Sequence, residues 1–135
     1  MKIFIFVIVA IFGAGFNYLL AQNNSSPAPP VEYRTISPAE AKKRLEAEAR
    51  IILLDVRTPE EYAEQHIPGS ILIPVDQLEQ AVEAKIPAKH ETIFIYCRSG
   101  RRSKIAADKL IGLGYTHVYD LGGIFNWPYE VETGQ

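Results

Sequence analysis

Short aliphatic runs, each followed closely by a helix start, constrain this 135-residue chain more than any other feature. Ile51 to Val56 reads IILLDV, the composition of a strand buried on both faces of a parallel sheet. Two residues on, Thr58-Pro-Glu-Glu61 has a capping residue, a proline at the first helical position and a glutamate placed to complete a capping box. Ser37-Pro-Ala-Glu40 repeats that signature and predicts a helix to about Ala49.

The alternation continues along the chain. His66-Ile-Pro-Gly69 breaks the second helix, Ile71 to Ile73 is the next expected strand, Asp76 to Lys85 the next helix, and Thr92 to Tyr96 a further strand. Ser103 begins a helical pattern with Ile105, Ala106, Leu110 and Leu113 on one side, closed by Gly112 and Gly114 before a strand at His117 to Tyr119. Strands alternating with helices predict an α/β fold, a mostly parallel central sheet flanked by helices on both faces.

The N-terminus is built differently. After Met1 and Lys2 the residues from Ile3 to Phe16 carry no charge, and a short apolar piece, Tyr18 to Ala21, follows Asn17. Residues 1–21 read as a secretory signal peptide or, because the stretch approaches the roughly 20 residues that span a bilayer, as an uncleaved membrane anchor. Neither cleavage after Ala21 nor cleavage after Gly15 has a good small-residue pattern. Either way Lys2 favours the cytoplasmic side for the start of the chain, so the remainder is expected to be exported. A periplasmic location follows, soluble or anchored to the inner membrane. Residues 22–30 (QNNSSPAPP) are polar and proline-rich, a linker ahead of one domain over 31–135.

A net charge of −2 lacks the basic excess that binding many phosphates requires, so nucleic acid is not an expected partner. One cysteine excludes an intramolecular disulfide, and three dispersed histidines make no zinc-ligand spacing. Membrane is a partner only if residues 1–21 stay attached, and a monomer is expected.

The lone thiol, Cys97, falls where a predicted buried strand ends and a helix soon begins, the edge of an open α/β sheet at which ligands bind. Its context is Tyr96-Cys-Arg-Ser-Gly-Arg-Arg-Ser103. Gly100 permits unusual backbone angles, and a helix N-terminus beyond it can turn several N–H groups inward as an anion cradle. The cradle and Arg98, Arg101 and Arg102 should favour thiolate over thiol. A single cysteine can equally be a small buried hydrophobe, and arginines at a helix start can face solvent. Cations there are disfavoured by the helix dipole, however, which points to an anionic ligand.

Other candidates read as structural. His66 is placed to close its helix or fix the turn, and His90 and His117 as surface residues. Phe125 and Trp127 read as core or lid packing, and Gly122-Gly123 is too weak a signal for a phosphate loop. Asp55 and Arg57, at a strand end beside a capped helix, suit an ion-pair or loop-supporting role behind the reacting group.

Together LLDVRTPEEYAEQHIPGS, CRSGRRS and LGGIFNW resemble the rhodanese family in its single-domain form, over nearly all of residues 31 to 135. Asp55-Val-Arg57 with Glu61-Tyr62 and His66-Ile-Pro-Gly69 is similar to the signature leading into that family's first helix, and Cys97 to Arg102 to its six-residue active loop. The resemblance implies a sulfurtransferase. In it Cys97 takes a sulfane sulfur from thiosulfate or a similar donor, holds it as a persulfide, and passes it to a thiol, cyanide or a protein cysteine. It also implies binding of the anionic donor by the loop residues Arg98, Ser99, Gly100, Arg101, Arg102 and Ser103, with no metal or organic cofactor.

Three alternatives accompany this reading. Cysteine-loop phosphatases and arsenate reductases place an arginine six positions after the cysteine, where this chain has Ser103. Inactive rhodanese-like interaction modules generally lack the cysteine. A persulfide carrier for another exported enzyme is not separable from a catalyst by sequence.

Overall fold

The computed structural model describes residues 27, 28 and 30–134, so the expected signal or anchor over 1–21 and most of the expected linker lie outside the described residues. Pro27, Ala28 and Pro30 are exposed and without regular structure. Among the described residues no helix is long and apolar enough to cross a membrane.

Both expected N-caps form, but among the described residues neither Glu40 nor Glu61 returns a bond to the capping residue's amide to complete a capping box, the Glu61 carboxylate being held by Arg102. Ser37 caps helix α1 (Pro38–Ala47) by accepting from the Glu40 amide at 3.2 Å. Thr58 caps helix α2 (Pro59–Glu64) by accepting from the Glu61 amide at 3.2 Å. Each satisfies an amide that the first helical turn would leave unpaired.

The strands are β1 (Arg34–Thr35), β2 (Ile52–Asp55), β3 (Ile71–Leu72), β4 (Thr92–Cys97) and β5 (His117–Gly123). They form one parallel sheet in the order β1-β5-β4-β2-β3. A single turn of 3₁₀ helix at Val75–Gln77 leads into α3 (Leu78–Lys85), and α4 (Arg101–Gly112) joins β4 to β5.

Side chains alternate across the sheet. Ile93, Ile95 and Cys97 of β4 share one face with Leu54 and Val56, packed under Leu78 and Val82 of α3 and Ala106, Ala107 and Leu110 of α4. Phe94 and Tyr96 lie on the other face with Leu53, Ile67, Leu121 and Ala41 of α1. The expected α/β sheet covered on both faces is therefore present, and Cys97 ends the central strand on the α4 side.

Several details differ from the sequence reading, among them Ile105, which was expected on the apolar side of its helix and is exposed. β1 is an added edge strand of two exposed residues. β5 runs four residues past Tyr119, through the glycine pair to Gly123. A register shift beside Ile95 and Tyr96 pairs Tyr96 with Gly122 and Cys97 with Gly123. Finally, α4 begins at Arg101, two residues before Ser103, because Gly100 with φ of 107° reverses the chain and admits the helix at once.

Candidate active site

β4 delivers Cys97 to the C-terminal edge of the sheet, and the chain then closes over it. Gly100 sits in the left-handed region, and its amide donates to Cys97 Sγ at 3.0 Å. The sulfur is thus held at the N-terminus of the 12-residue helix α4, whose dipole favours negative charge there. Cys97 is a buried residue, while Arg98, Ser99 and Arg101 are exposed around it.

The loop rests on β5. A side chain on Gly123 would place its Cβ 2.3 Å from the Arg98 carbonyl oxygen and 2.7 Å from Ser99 Cα, so only glycine lets strand and loop approach this closely. The Arg98 carbonyl also accepts from the Phe125 amide at 3.2 Å. The glycine pair therefore serves as a floor for the cysteine loop.

The three arginines part company. Arg102 gives both terminal nitrogens to the Glu61 carboxylate, at 2.8 and 2.9 Å. Those hydrogen bonds, opposed by partial burial, hold the Glu61 carboxyl below its ordinary range and raise Arg102 above its own. Arg98 and Arg101 remain exposed, and neither takes part in an ion pair among the described residues. Ser103 is fully buried, and its hydroxyl donates to the Gly100 carbonyl at 3.0 Å, which locks the turn and leaves the hydroxyl out of reach of a ligand.

Asp55 and Arg57 form a buried pair behind this entrance. Arg57 Nη2 donates to Asp55 Oδ2 at 2.7 Å and to the Gln65 carbonyl at 2.6 Å, and Nε reaches both carboxylate oxygens. Burial works against the charge on Arg57, but the hydrogen bonds and charge of Asp55 outweigh it and raise the arginine pKa. The pair fastens the end of β2 to the end of α2. His66 finishes α2, with Nδ1 2.9 Å from the Tyr62 carbonyl, while His90 and His117 are exposed.

Arg57, Glu61, Glu64, Arg98, Ile124 and Phe125 border a hollow of about 320 Å³ at the loop's edge. Trp127 packs against the α1-side core, but Phe125, read from sequence as a packing residue, is 84% exposed at the rim of this hollow. The 3₁₀ turn Ile124–Asn126 buries Ile124 and turns its neighbour outward. Sequence reasoning gave Gly123 and Phe125 no part in the site and read Glu61 as a capping-box residue within the family's signature. No signal near either residue pairs Glu61 with Arg102, 41 positions away.

Comparison with known proteins identifies the family. The thiosulfate sulfurtransferase PspE of Escherichia coli is 39% identical over 71 residues, 53% of this chain and 68% of that protein. An adenylyltransferase and sulfurtransferase, UBA4 of Candida albicans, is 33% identical over 105 residues, 73% of this chain but 24% of that one, so the chain spans about a quarter of it. A solved structure described as a rhodanese with anions from E. coli superposes with a TM-score of 0.59 at 34% identity, over 62% of this chain and 99% of that one. Sulfur transfer is thus the general chemistry of its relatives. The family description Rhodanese-like domain matches residues 37–129, from the cap of α1 to just beyond Trp127, and with a cysteine loop of that kind at the end of its central strand the chain belongs to the rhodanese-like family.

Proposed function

We propose that this protein is a thiosulfate sulfurtransferase that carries sulfur as a persulfide on Cys97. The observation that carries the reading is the Gly100 amide donating to Cys97 Sγ at 3.0 Å at the start of α4, which aims a backbone donor and a helix N-terminus at the reacting sulfur. The Cys97 thiolate attacks the outer sulfur of thiosulfate, a new S–S bond forms, the bond to the sulfonate sulfur breaks, and sulfite leaves with the electron pair. Arg98 and Arg101 steer the dianion in, and the loop amides and helix dipole stabilise the persulfide anion that remains. A thiolate or cyanide then attacks the outer sulfur of the persulfide and returns Cys97 as thiolate.

Phosphate chemistry is disfavoured by what stands six positions after the cysteine. Ser103 is buried and bonded to Gly100, and Arg102 before it is engaged by Glu61, so no side chain there clamps a tetrahedral oxyanion. The composition of residues 1–21 supports export, and the proposal places the domain in a periplasm, free or membrane-anchored.

Intact-protein mass spectrometry tests the chemistry. After incubation with thiosulfate the chain should gain one sulfur atom and lose it on addition of cyanide or dithiothreitol, and Cys97→Ser should gain none. Sulfur gained by Cys97→Ser, or no gain by the unaltered chain, would overturn the reading.

A further inference from the structure

The most exposed large apolar side chain among the described residues belongs to a residue fastened to the cysteine loop, the Phe125 amide donating to the Arg98 carbonyl at 3.2 Å. Phe125 is 84% exposed, and with Arg98 it borders two hollows, one of about 320 Å³ reaching to Glu64 on α2 and one of about 330 Å³ over Ser99. Hollows of this size match ligands with many more atoms than the five of thiosulfate or the two of cyanide. A group that covers Phe125 must lie across both, which calls for an extended ligand. An aromatic side chain left in water at the rim of a reactive centre is the kind of residue that anchors a partner.

The charge of the facing wall selects the partner. Glu60 and Glu64 of α2 are exposed, and neither takes part in an ion pair among the described residues, whereas Glu61 is held by Arg102. Glu64 borders the same hollow as Phe125. Arg57 of the same hollow is committed to Asp55, and Arg98 is left for the anionic donor, so the free charge on the α2 side is Glu64, from which a segment with a basic residue next to its thiol gains an ion pair.

We propose that Phe125 and Glu64 form a docking surface for the sulfur acceptor, and that the acceptor is a cysteine of another protein, flanked by an apolar and a basic residue. The proposal rests on the sulfur-transfer reading above. The acceptor's apolar side chain covers Phe125 and its basic side chain meets Glu64. Its thiolate attacks the outer sulfur of the Cys97 persulfide, the bond to Cys97 Sγ breaks, and Cys97 keeps the electron pair. The acceptor leaves as a persulfide and no oxidant is needed.

The test uses the full chain loaded with thiosulfate and two capped peptides, Leu-Cys-Lys and Gly-Cys-Glu. Each discharge rate is divided by that peptide's rate with a small free persulfide, which removes differences in thiol reactivity. Leu-Cys-Lys should discharge Cys97 at least about tenfold faster than Gly-Cys-Glu, and Phe125→Ala and Glu64→Gln should each shrink that ratio severalfold. Equal normalised rates, or a ratio unmoved by both variants, would overturn the docking surface while leaving sulfur loading intact. If thiosulfate loads no sulfur, the peptide Leu-Ser-Lys decides, since its binding needs no transfer. Its addition should shift the amide resonances of Phe125 and Glu64, and unshifted resonances sink the proposal.

Discussion

Glu61 of α2 holds Arg102 of α4 through two parallel hydrogen bonds of 2.8 and 2.9 Å, tying the acidic helix to the first turn of the helix that caps the cysteine loop. Both side chains are about three-quarters buried, at 28% and 21% exposure, so the pair is partly shielded from solvent screening. Glu61→Gln should lower stability by about 1 kcal/mol, a fall in Tm of roughly 4 °C or more.

The same pair predicts a pH dependence. The Glu61 carboxyl is held below its ordinary 4.5 in the folded state by Arg102, so the unfolded chain binds this proton more readily. Its contribution is complete above the unfolded value and disappears as pH falls through the lower folded value. Thermal melts of the parent and Glu61→Gln should therefore differ near pH 7 and converge in strong acid. A gap that persists unchanged in strong acid would show that the variant acts through packing and not charge.

The pairing illustrates where sequence reading stops. The caps at Ser37 and Thr58 and the buried runs of β2 and β4 are local: three-residue spacings and aliphatic composition state them, and the structure has them. The Glu61–Arg102 bond spans 41 positions, and nothing in either neighbourhood names the other partner. β1 consists of two exposed residues, Arg34 and Thr35, whose only reason to be a strand is the edge of β5 beside them. The glycine pair lies beyond the strand His117 to Tyr119 expected from sequence, yet it extends β5, and the shift beside Ile95 and Tyr96 brings Gly123 opposite Cys97. Cys97, Gly100 and the neighbouring arginines were legible as a cluster. Which arginine faces a ligand and which is bound elsewhere depends on how α2 docks.

Gly123→Ala should damage the loop more than its size suggests. The added methyl meets backbone atoms, the Arg98 oxygen at 2.3 Å and Ser99 Cα at 2.7 Å, which cannot rotate aside. Strand or loop must move, at a cost of about 1–3 kcal/mol, and the Gly100 amide is drawn off the sulfur. Sulfur loading measured by mass should slow at least about tenfold while the circular dichroism spectrum still shows a folded domain.

Asp55→Ala should be the most destabilising of these changes. It strips the carboxylate from Arg57, which is 3% exposed, and leaves a buried cation whose remaining hydrogen bond goes to the Gln65 carbonyl. Breaking one side of a buried pair costs about 3–5 kcal/mol, a large fraction of the stability of a small domain. Urea denaturation should show the midpoint falling accordingly.

The arginines separate by kinetic and structural readout. Arg98 is exposed at the rim with no ion-pair partner among the described residues, so Arg98→Ala should leave the melting temperature nearly unchanged. Its effect should be a KM for thiosulfate raised about tenfold, as expected for losing a charge-assisted hydrogen bond worth about 1.5 kcal/mol or more. Arg102→Ala should do the reverse, because its guanidinium is already committed to Glu61. It should lower Tm as much as Glu61→Gln does, and the double variant should be scarcely worse than either single one, since both remove the same bond. Steady-state kinetics on the single variants, with melts on all of them, check the division. A raised KM from Arg102→Ala with an unchanged Tm would mean that the guanidinium leaves Glu61 for the substrate.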